Sequence, residues 1–311
     1  MKFEVTILGN NSAFPAQGRY PSAQVVNHHE ELFLVDCGEG TQIRMSQYSI
    51  KRSRIHHIFI SHLHGDHVFG LPGLINSYHH HGRHVPLHIY GPVGIRAMIE
   101  TVLRLSNSMI DFELVFYEIQ SEKKLKIYEN KDLRVYAFPI KHRVPTYGYM
   151  FQEKNTVINM SKEAIQKYHL TIDQIKTAKE GKPVTLASGE LLSNDILTLP
   201  SPVSRSYAYC SDTVFDKAIV QWIKCVTVLY HEATFLHELE QKAVESMHST
   251  ALQAGMMAHM ANVGQLLLGH FSSRYDDLSQ FEQEAKEIFN AVQIAEEGHT
   301  YPIDVAHTLN P

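Results

Sequence analysis

Short β-branched runs separated by turn residues set the pattern of this chain. Residues 5–8, 23–27, 32–35, 55–60 and 87–90 read as strands, and the same signal returns at 112–117, 133–138, 206–210, 227–230 and 266–269. Apolar positions at helical spacing appear at 68–78, 94–105, 251–261 and 278–292. Ser249 and Thr250 stand before the third of these and offer N-cap hydroxyls. Early strands follow one another like hairpin neighbours, and later ones alternate with helices. This predicts an α/β fold of two mixed sheets packed face to face with helices outside, an αβ/βα sandwich.

One stretch breaks the pattern. From 154 to 182 the chain is polar, with Lys154, Lys162, Lys167, Lys176, Lys179 and Lys182 set against Glu163, Asp173 and Glu180, a local excess of three positive charges. Ser161-Lys162-Glu163-Ala164 and Thr171-Ile172-Asp173-Gln174 read as helix starts. The stretch reads as an inserted arm with short helices, within one domain spanning residues 1–311.

Composition narrows the class without naming a function. The 311 residues are 44% apolar and 20% charged, ordinary for a globular domain. No apolar run approaches the roughly 20 residues of a membrane-spanning helix. The first residues read as a strand, without the basic, apolar and small-residue regions of an export signal. Cys37, Cys210 and Cys225 are odd in number and form no C-x-x-C pair, which predicts a reduced, cytoplasmic setting. The net charge of −5 excludes no partner, since a basic patch can be local.

The chemistry is concentrated after the strand at 55–60. Ser61-His62-Leu63-His64-Gly65-Asp66-His67 places four ligand side chains within six residues where a strand gives way to a loop. Imidazole and carboxylate suit Zn²⁺, with Mn²⁺ or Fe²⁺ as alternatives, and the lack of nearby cysteine argues against a closed structural zinc site. One metal or two fit such a loop. Further ligands stand after other predicted strands: His142, Asp212 and His270. A two-metal division follows, with His62, His64 and His142 on one ion, Asp66, His67 and His270 on the other, and Asp212 bridging. Two such ions sharing a water clamp an in-line displacement at phosphorus. Asp36, in the Asp36-Cys37-Gly38-Glu39-Gly40-Thr41-Gln42 turn, is placed to orient a ligand histidine.

The histidine cluster resembles the metallo-β-lactamase superfamily signature. The wider set resembles the tRNA 3′-processing endonucleases of the ribonuclease Z family, short form. The matching pieces are Asp36-Cys37-Gly38-Glu39-Gly40-Thr41-Gln42, Gly70-Leu71-Pro72-Gly73-Leu74, Gly91-Pro92-Val93-Gly94, Ser211-Asp212-Thr213, His231-Glu232-Ala233-Thr234-Phe235, His248-Ser249-Thr250 and His270-Phe271-Ser272-Ser273-Arg274-Tyr275. The resemblance implies a zinc endoribonuclease that removes the 3′ trailer of precursor tRNA. Its products would be a 3′-hydroxyl on the tRNA and a 5′-phosphate on the trailer. It implies catalytic roles for Asp66, which orients the nucleophile, and for His248, which protonates the departing O3′. It also implies a homodimer in which the arm of one subunit grips tRNA bound at the other's active site; position and local charge offer Lys162, Lys167, Lys176, Lys179 and Lys182 as its RNA contacts, with a solvated surface excursion as the alternative. Arg274 is placed to meet a phosphate or to form a structural ion pair.

Two departures stand out. The N-terminal loop that commonly reads P-x-K-x-R-N, and that the family associates with the CCA end, is here Pro15-Ala16-Gln17-Gly18-Arg19-Tyr20, without the lysine and asparagine. The arm carries Glu180-Gly181-Lys182-Pro183 in place of a glycine–proline-rich tip. The alternative readings are a small-substrate hydrolase of the same superfamily and a non-catalytic RNA-binding scaffold.

Overall fold

The computed structural model describes residues 2–154, 159–199 and 204–304. Among them the strands are β1 (Phe3–Gly9), β2 (Ala23–His28), β3 (Glu31–Val35), β4 (Ile55–Phe59), β5 (Leu87–Pro92), β6 (Leu114–Ile119), β7 (Leu125–Glu129) and β8 (Leu133–Ile140). There follow β9 (Thr146–Glu153), β10 (Val184–Thr185), β11 (Leu191–Leu192), β12 (Ser206–Cys210), β13 (Val228–Glu232), β14 (Gln265–Gly269), β15 (Val292–Ile294) and β16 (Thr300–Pro302). One seven-stranded sheet runs β16-β1-β2-β3-β4-β5-β6 and the other β15-β14-β13-β12-β9-β8-β7. The pairs from β16 to β3 are antiparallel and those from β3 to β6 parallel, as are those from β12 to β15. Parallel neighbours need crossovers, and helices Gly70–His80, Ile95–Leu105 and Ala251–Ala261 supply them.

The two faces of each strand have different partners. Phe59 points to the second sheet, with ring centroids 5.4 Å from both Tyr149 and Phe151. Tyr149 Oη donates to the Ile60 carbonyl at 2.6 Å. Leu34 and Ile58 face the other way and pack with Leu71, Leu74, Ile75 and Ile95 from the outer helices. Strands covered on both faces read as continuous apolar runs, which is why the signal is clear at 32–35 and 55–60. Truncating a buried phenylalanine in such a layer costs about 3–5 kcal/mol. Packing therefore fixes the strand ends that carry the site.

The structure departs from the sequence reading in several places. The helix expected over 278–292 spans only Ser279–Lys286, and Val292–Ile294 instead joins the second sheet beside β14. Two β-branched residues there gain more from the sheet than from a helix end. The strand expected at 112–117 lies at Leu114–Ile119. Strand β9 gave no signal because Gly148 interrupts it, yet a Cβ there would lie 2.4 Å from the Phe138 ring. Cys37 and Cys210 are buried and Cys225 exposed, all three free. Among the described residues no helix is long and apolar enough to cross a membrane.

A second compact unit comprises Glu129–Arg134 and Gln152–Ser204, whereas the sequence places an arm at 154–182. Residues 155–158 of that stretch lie outside the described residues. Its helices begin as the sequence indicates. Ser161 accepts from the Ala164 amide, and Thr171 and Gln174 form a capping box. The unit runs past Lys182 because Ala164, Leu170 and Ala178 close a core only with Val184, Leu192 and Leu197.

Candidate metal centre

The histidines and carboxylates picked out in the sequence come together at strand ends from both sheets. His62 and His64 follow β4, His142 follows β8, Asp212 follows β12 and His270 follows β14. Ligand atoms of His62, His64, His142 and Asp212 all lie within 4.8 Å of one another, as do those of Asp66, His67, Asp212 and His270. Asp212 belongs to both groups.

Hydrogen bonds fix which nitrogen each ring presents. The Nδ1 of His62 faces Ser61 Oγ (3.0 Å), that of His67 faces Asp36 Oδ2 (2.7 Å), that of His142 faces the Met247 carbonyl (2.9 Å) and that of His270 faces Thr234 Oγ1 (3.0 Å). Each of these partners acts as acceptor, so the proton sits on Nδ1 and Nε2 is left with its lone pair. His64 presents Nδ1 instead, 3.0 Å from His62 Nε2 and 3.2 Å from His142 Nε2. In the other group His67 Nε2 lies 3.3 Å from His270 Nε2 and 3.2 Å from Asp212 Oδ1. Lone pairs converging on one point repel unless a cation lies between them, so the donor set fits divalent metals.

Electrostatics agrees. Burial, ahead of the neighbouring rings, lowers the proton affinity of His62, His64 and His142, which keeps them as neutral ligands. Burial also opposes charge on His67, but Asp212, Asp66 and Asp36 outweigh it and raise its proton affinity well above normal. Burial likewise works against the charge on Asp66 and Asp212. His67 and His270 hold Asp66, and His270, His67 and His62 hold Asp212, well below the carboxylate range. A pocket with this much negative potential favours any cation placed in it.

Local backbone strain accompanies the site. Asp36, Met247 and His270 are non-glycine residues with φ of 56°, 61° and 60°. Such left-handed conformations cost free energy and persist where surrounding contacts enforce them. Gly38, in the turn after β3, backs onto the Asp66 carbonyl, which a Cβ would approach to 2.4 Å.

His248 stands beside the cluster, 15% exposed in its side chain. Its Nδ1 donates to Glu232 Oε1 at 2.9 Å. Glu232 is buried at the end of β13 and also accepts from the Thr213 amide (2.9 Å), the Thr234 amide (3.0 Å) and Thr234 Oγ1 (2.7 Å). Its lone pairs are therefore committed to protein donors, His248 among them. Burial pulls His248 down, but the Glu232 charge and hydrogen bond, with Asp212 and Asp66, outweigh it and leave His248 raised to about 9. Thr250 caps helix Ala251–Ala261 in a capping box, while Ser249 Oγ ties the segment to the Thr213 carbonyl at 2.7 Å.

The residues named for substrate contact are not among these ligand groups. Arg274 is exposed, and its side chain has no hydrogen bond or ion pair among the described residues. Lys162, Lys167, Lys176, Lys179 and Lys182 belong to the second unit. Arg19 is a fastener, donating to Asn11 Oδ1 (3.1 Å) and the Tyr275 carbonyl (2.7 Å). Its loop reaches the site through the Ala13 amide, which donates to Asp66 Oδ2 at 2.7 Å. Arg143 was missed. It follows His142, is exposed and lines the pocket with His64, His248 and Ser246, but a lone arginine after a histidine carries no sequence signal.

Known proteins resemble this chain along its whole length. Residues 3–181 match the family model described as "Anti-Pycsar protein Apyc1", a stretch that stops before Asp212, Glu232, His248 and His270. A "Ribonuclease Z" of Phocaeicola vulgatus is 40% identical over 296 residues, covering 95% of this chain and 96% of its own. A "Ribonuclease Z" of Cytophaga hutchinsonii is 40% identical over 314 aligned residues, covering both chains completely. Human tRNase Z, short form, superposes with a TM-score of 0.72 at 28% identity, covering 97% of this chain and 100% of that one. With relatives 40% identical and aligned over 95–100% of its length, the chain belongs to the ribonuclease Z family and is a metal-dependent endoribonuclease of the metallo-β-lactamase superfamily.

Proposed function

We propose that the protein removes the 3′ trailer of precursor tRNA by hydrolysis at phosphorus, using two Zn²⁺ ions. The observation that carries this reading is the Glu232–His248 pair standing 4.0 Å from Asp212, next to two converging ligand sets. His62, His64, His142 and Asp212 would hold one ion, and Asp66, His67, Asp212 and His270 the other; Mn²⁺ and Fe²⁺ are the alternatives for such donors. Bound there, the ions supply Lewis-acid polarisation of the phosphodiester and lower the pKa of a nucleophilic water.

The chain's own groups do the rest. Asp66, steadied by the Ala13 amide, accepts the hydrogen bond that orients the attacking water. His248 keeps Nδ1 on Glu232 and offers the proton on Nε2 to the departing O3′. The bond from phosphorus to O3′ breaks, leaving a 3′-hydroxyl on the tRNA and a 5′-phosphate on the trailer. The lysines of the second unit serve as phosphate contacts for the body of the RNA, in an arm inserted into a single metallo-β-lactamase domain. The protein works in the cytoplasm, as its free cysteines suit, and as a homodimer, which light scattering tests.

The deciding experiment compares cleavage of a precursor tRNA with that of bis(p-nitrophenyl) phosphate, with and without chelator. Chelator-sensitive cleavage of the precursor supports the reading. Turnover of the small diester alone points to a small-substrate hydrolase, and RNA binding that survives chelation without cleavage points to a scaffold.

A further inference from the structure

Asp36 and Tyr209 form a buried link behind the metal centre. The Asp36 carboxylate, fully buried, accepts from the Ser61 amide (2.7 Å), Ser61 Oγ (2.8 Å), His67 Nδ1 (2.7 Å) and Tyr209 Oη (2.6 Å). Three of these donors share Oδ2. Asp36 follows β3 in the first sheet, while Tyr209 belongs to β12 in the second, so the Tyr209 hydrogen bond crosses the sandwich. The phenol also lies 3.2 Å from Ser211 Oγ, which donates to Asp212 Oδ1 at 3.1 Å. One hydroxyl thus touches the supports of two ligands: His67 through Asp36, and Asp212 through Ser211.

We infer that Tyr209 is a positioning residue for the second metal, acting through Asp36 to fix the ring plane and tautomer of His67. A carboxylate that receives the Nδ1 proton of a ligand histidine orients it and raises its basicity, and losing such outer support typically costs 10–100-fold in metal affinity. Without the phenol, Asp36 Oδ2 loses the one donor that comes from the opposite sheet. The carboxylate is then held only by Ser61 and His67, from its own side of the sandwich. On the first metal, His142 takes its Nδ1 contact from the Met247 carbonyl and His64 presents Nδ1 itself, while His62 reaches Asp36 only through Ser61 Oγ, so that metal is weakened less. The Tyr209 ring stacks on Tyr230 at 5.1 Å, a contact phenylalanine preserves. Removing the hydroxyl therefore isolates the hydrogen bond.

The inference rests on the two-metal reading proposed above. The experiment loads the full-length protein and Tyr209→Phe with Zn²⁺ or Co²⁺ and follows release of the ion to a chromogenic chelator. The same samples give the thermal midpoint of the metal-free protein. The expected result is two phases in the native protein. In Tyr209→Phe one phase moves to about tenfold or more lower chelator strength, and the other moves much less. Asp36→Asn should show the same selective loss, larger. Unchanged release overturns the inference, and so does equal weakening of both phases in step with a fall in the thermal midpoint. If Tyr209→Phe fails to fold, NMR of the unmodified metal-free protein decides. A downfield His67 Nδ1 proton, slow to exchange, is expected, and its absence overturns the link. A native protein that binds fewer than two ions refutes the two-metal reading itself.

Discussion

In the metal cradle Asp212, His62, His67 and His270 are at most 2% exposed, and each charge is matched by another group in contact. In the unit of Glu129–Arg134 and Gln152–Ser204, the Lys176 and Lys182 side chains are 71% and 67% exposed, paired along the surface with Asp173 at 3.8 Å and Glu180 at 2.7 Å. The first arrangement surrounds each group with packed, oppositely charged neighbours. The second offers screened, mobile charge that attracts a polyanion without specifying any one contact. Rigid burial suits bond breaking, and exposed lysine suits holding a large substrate.

Breaking the cradle should have the largest effect. Asp212→Ala removes the carboxylate common to both ligand sets, and metal content should drop from two ions to less than one by elemental analysis, with RNA cleavage at background. Next comes His248, the proton donor of the proposed reaction. His248→Ala should keep both ions but slow precursor cleavage about 10²–10⁴-fold, with a much smaller loss on bis(p-nitrophenyl) phosphate, whose leaving group needs no proton. Glu232→Gln should follow the same split more mildly, and a His248 variant stripped of metal would contradict its assignment. On the other side of the comparison, replacing Lys162, Lys167, Lys176, Lys179 and Lys182 by alanine should weaken precursor binding and flatten its dependence on salt, by about one unit of slope for each phosphate no longer neutralised. Turnover of the small diester should stay at the native level, checked by titration at several salt concentrations.

A smaller test concerns a half-buried cation, Lys124. Lys124 Nζ sits 3.1 Å from the Trp222 carbonyl and 4.9 Å from the centre of the Tyr136 ring, and burial lowers its pKa from 10.5 to about 8. Between these values the unfolded chain binds the proton that the folded protein releases, so stability rises with pH across that window. Lys124→Met should lose this rise, measured as the urea midpoint at pH 8 and pH 10.

How far the sequence revealed this site depends on where the information lies. His62, His64, Asp66 and His67 were legible because a metal demands those side chains and one tight turn supplies them. His142, Asp212 and His270 were legible as polar residues placed after apolar strand runs. Glu232 was named in the resemblance without a role, because its role exists only where Thr213, Thr234 and His248 surround it. Tyr209 reads as one more aromatic in a strand, and only the pairing of two sheets brings it to Asp36. In the fold, strand β9 was hidden by Gly148, and β15 by apolar spacing that fits a helix as well as a sheet edge. The second unit was visible as a polar, basic interruption, but its far boundary was not. The hairpin that completes its core lies beyond the lysine-rich stretch.

The most direct test of the central claim is to map both ends produced from a precursor tRNA with and without an encoded CCA, using protein loaded with Zn²⁺. The account predicts a single cut at the start of the trailer, a 3′-hydroxyl on the tRNA, a 5′-phosphate on the trailer and loss of both products on chelation. Intact precursor, or ends bearing a 2′,3′-cyclic phosphate, would contradict it.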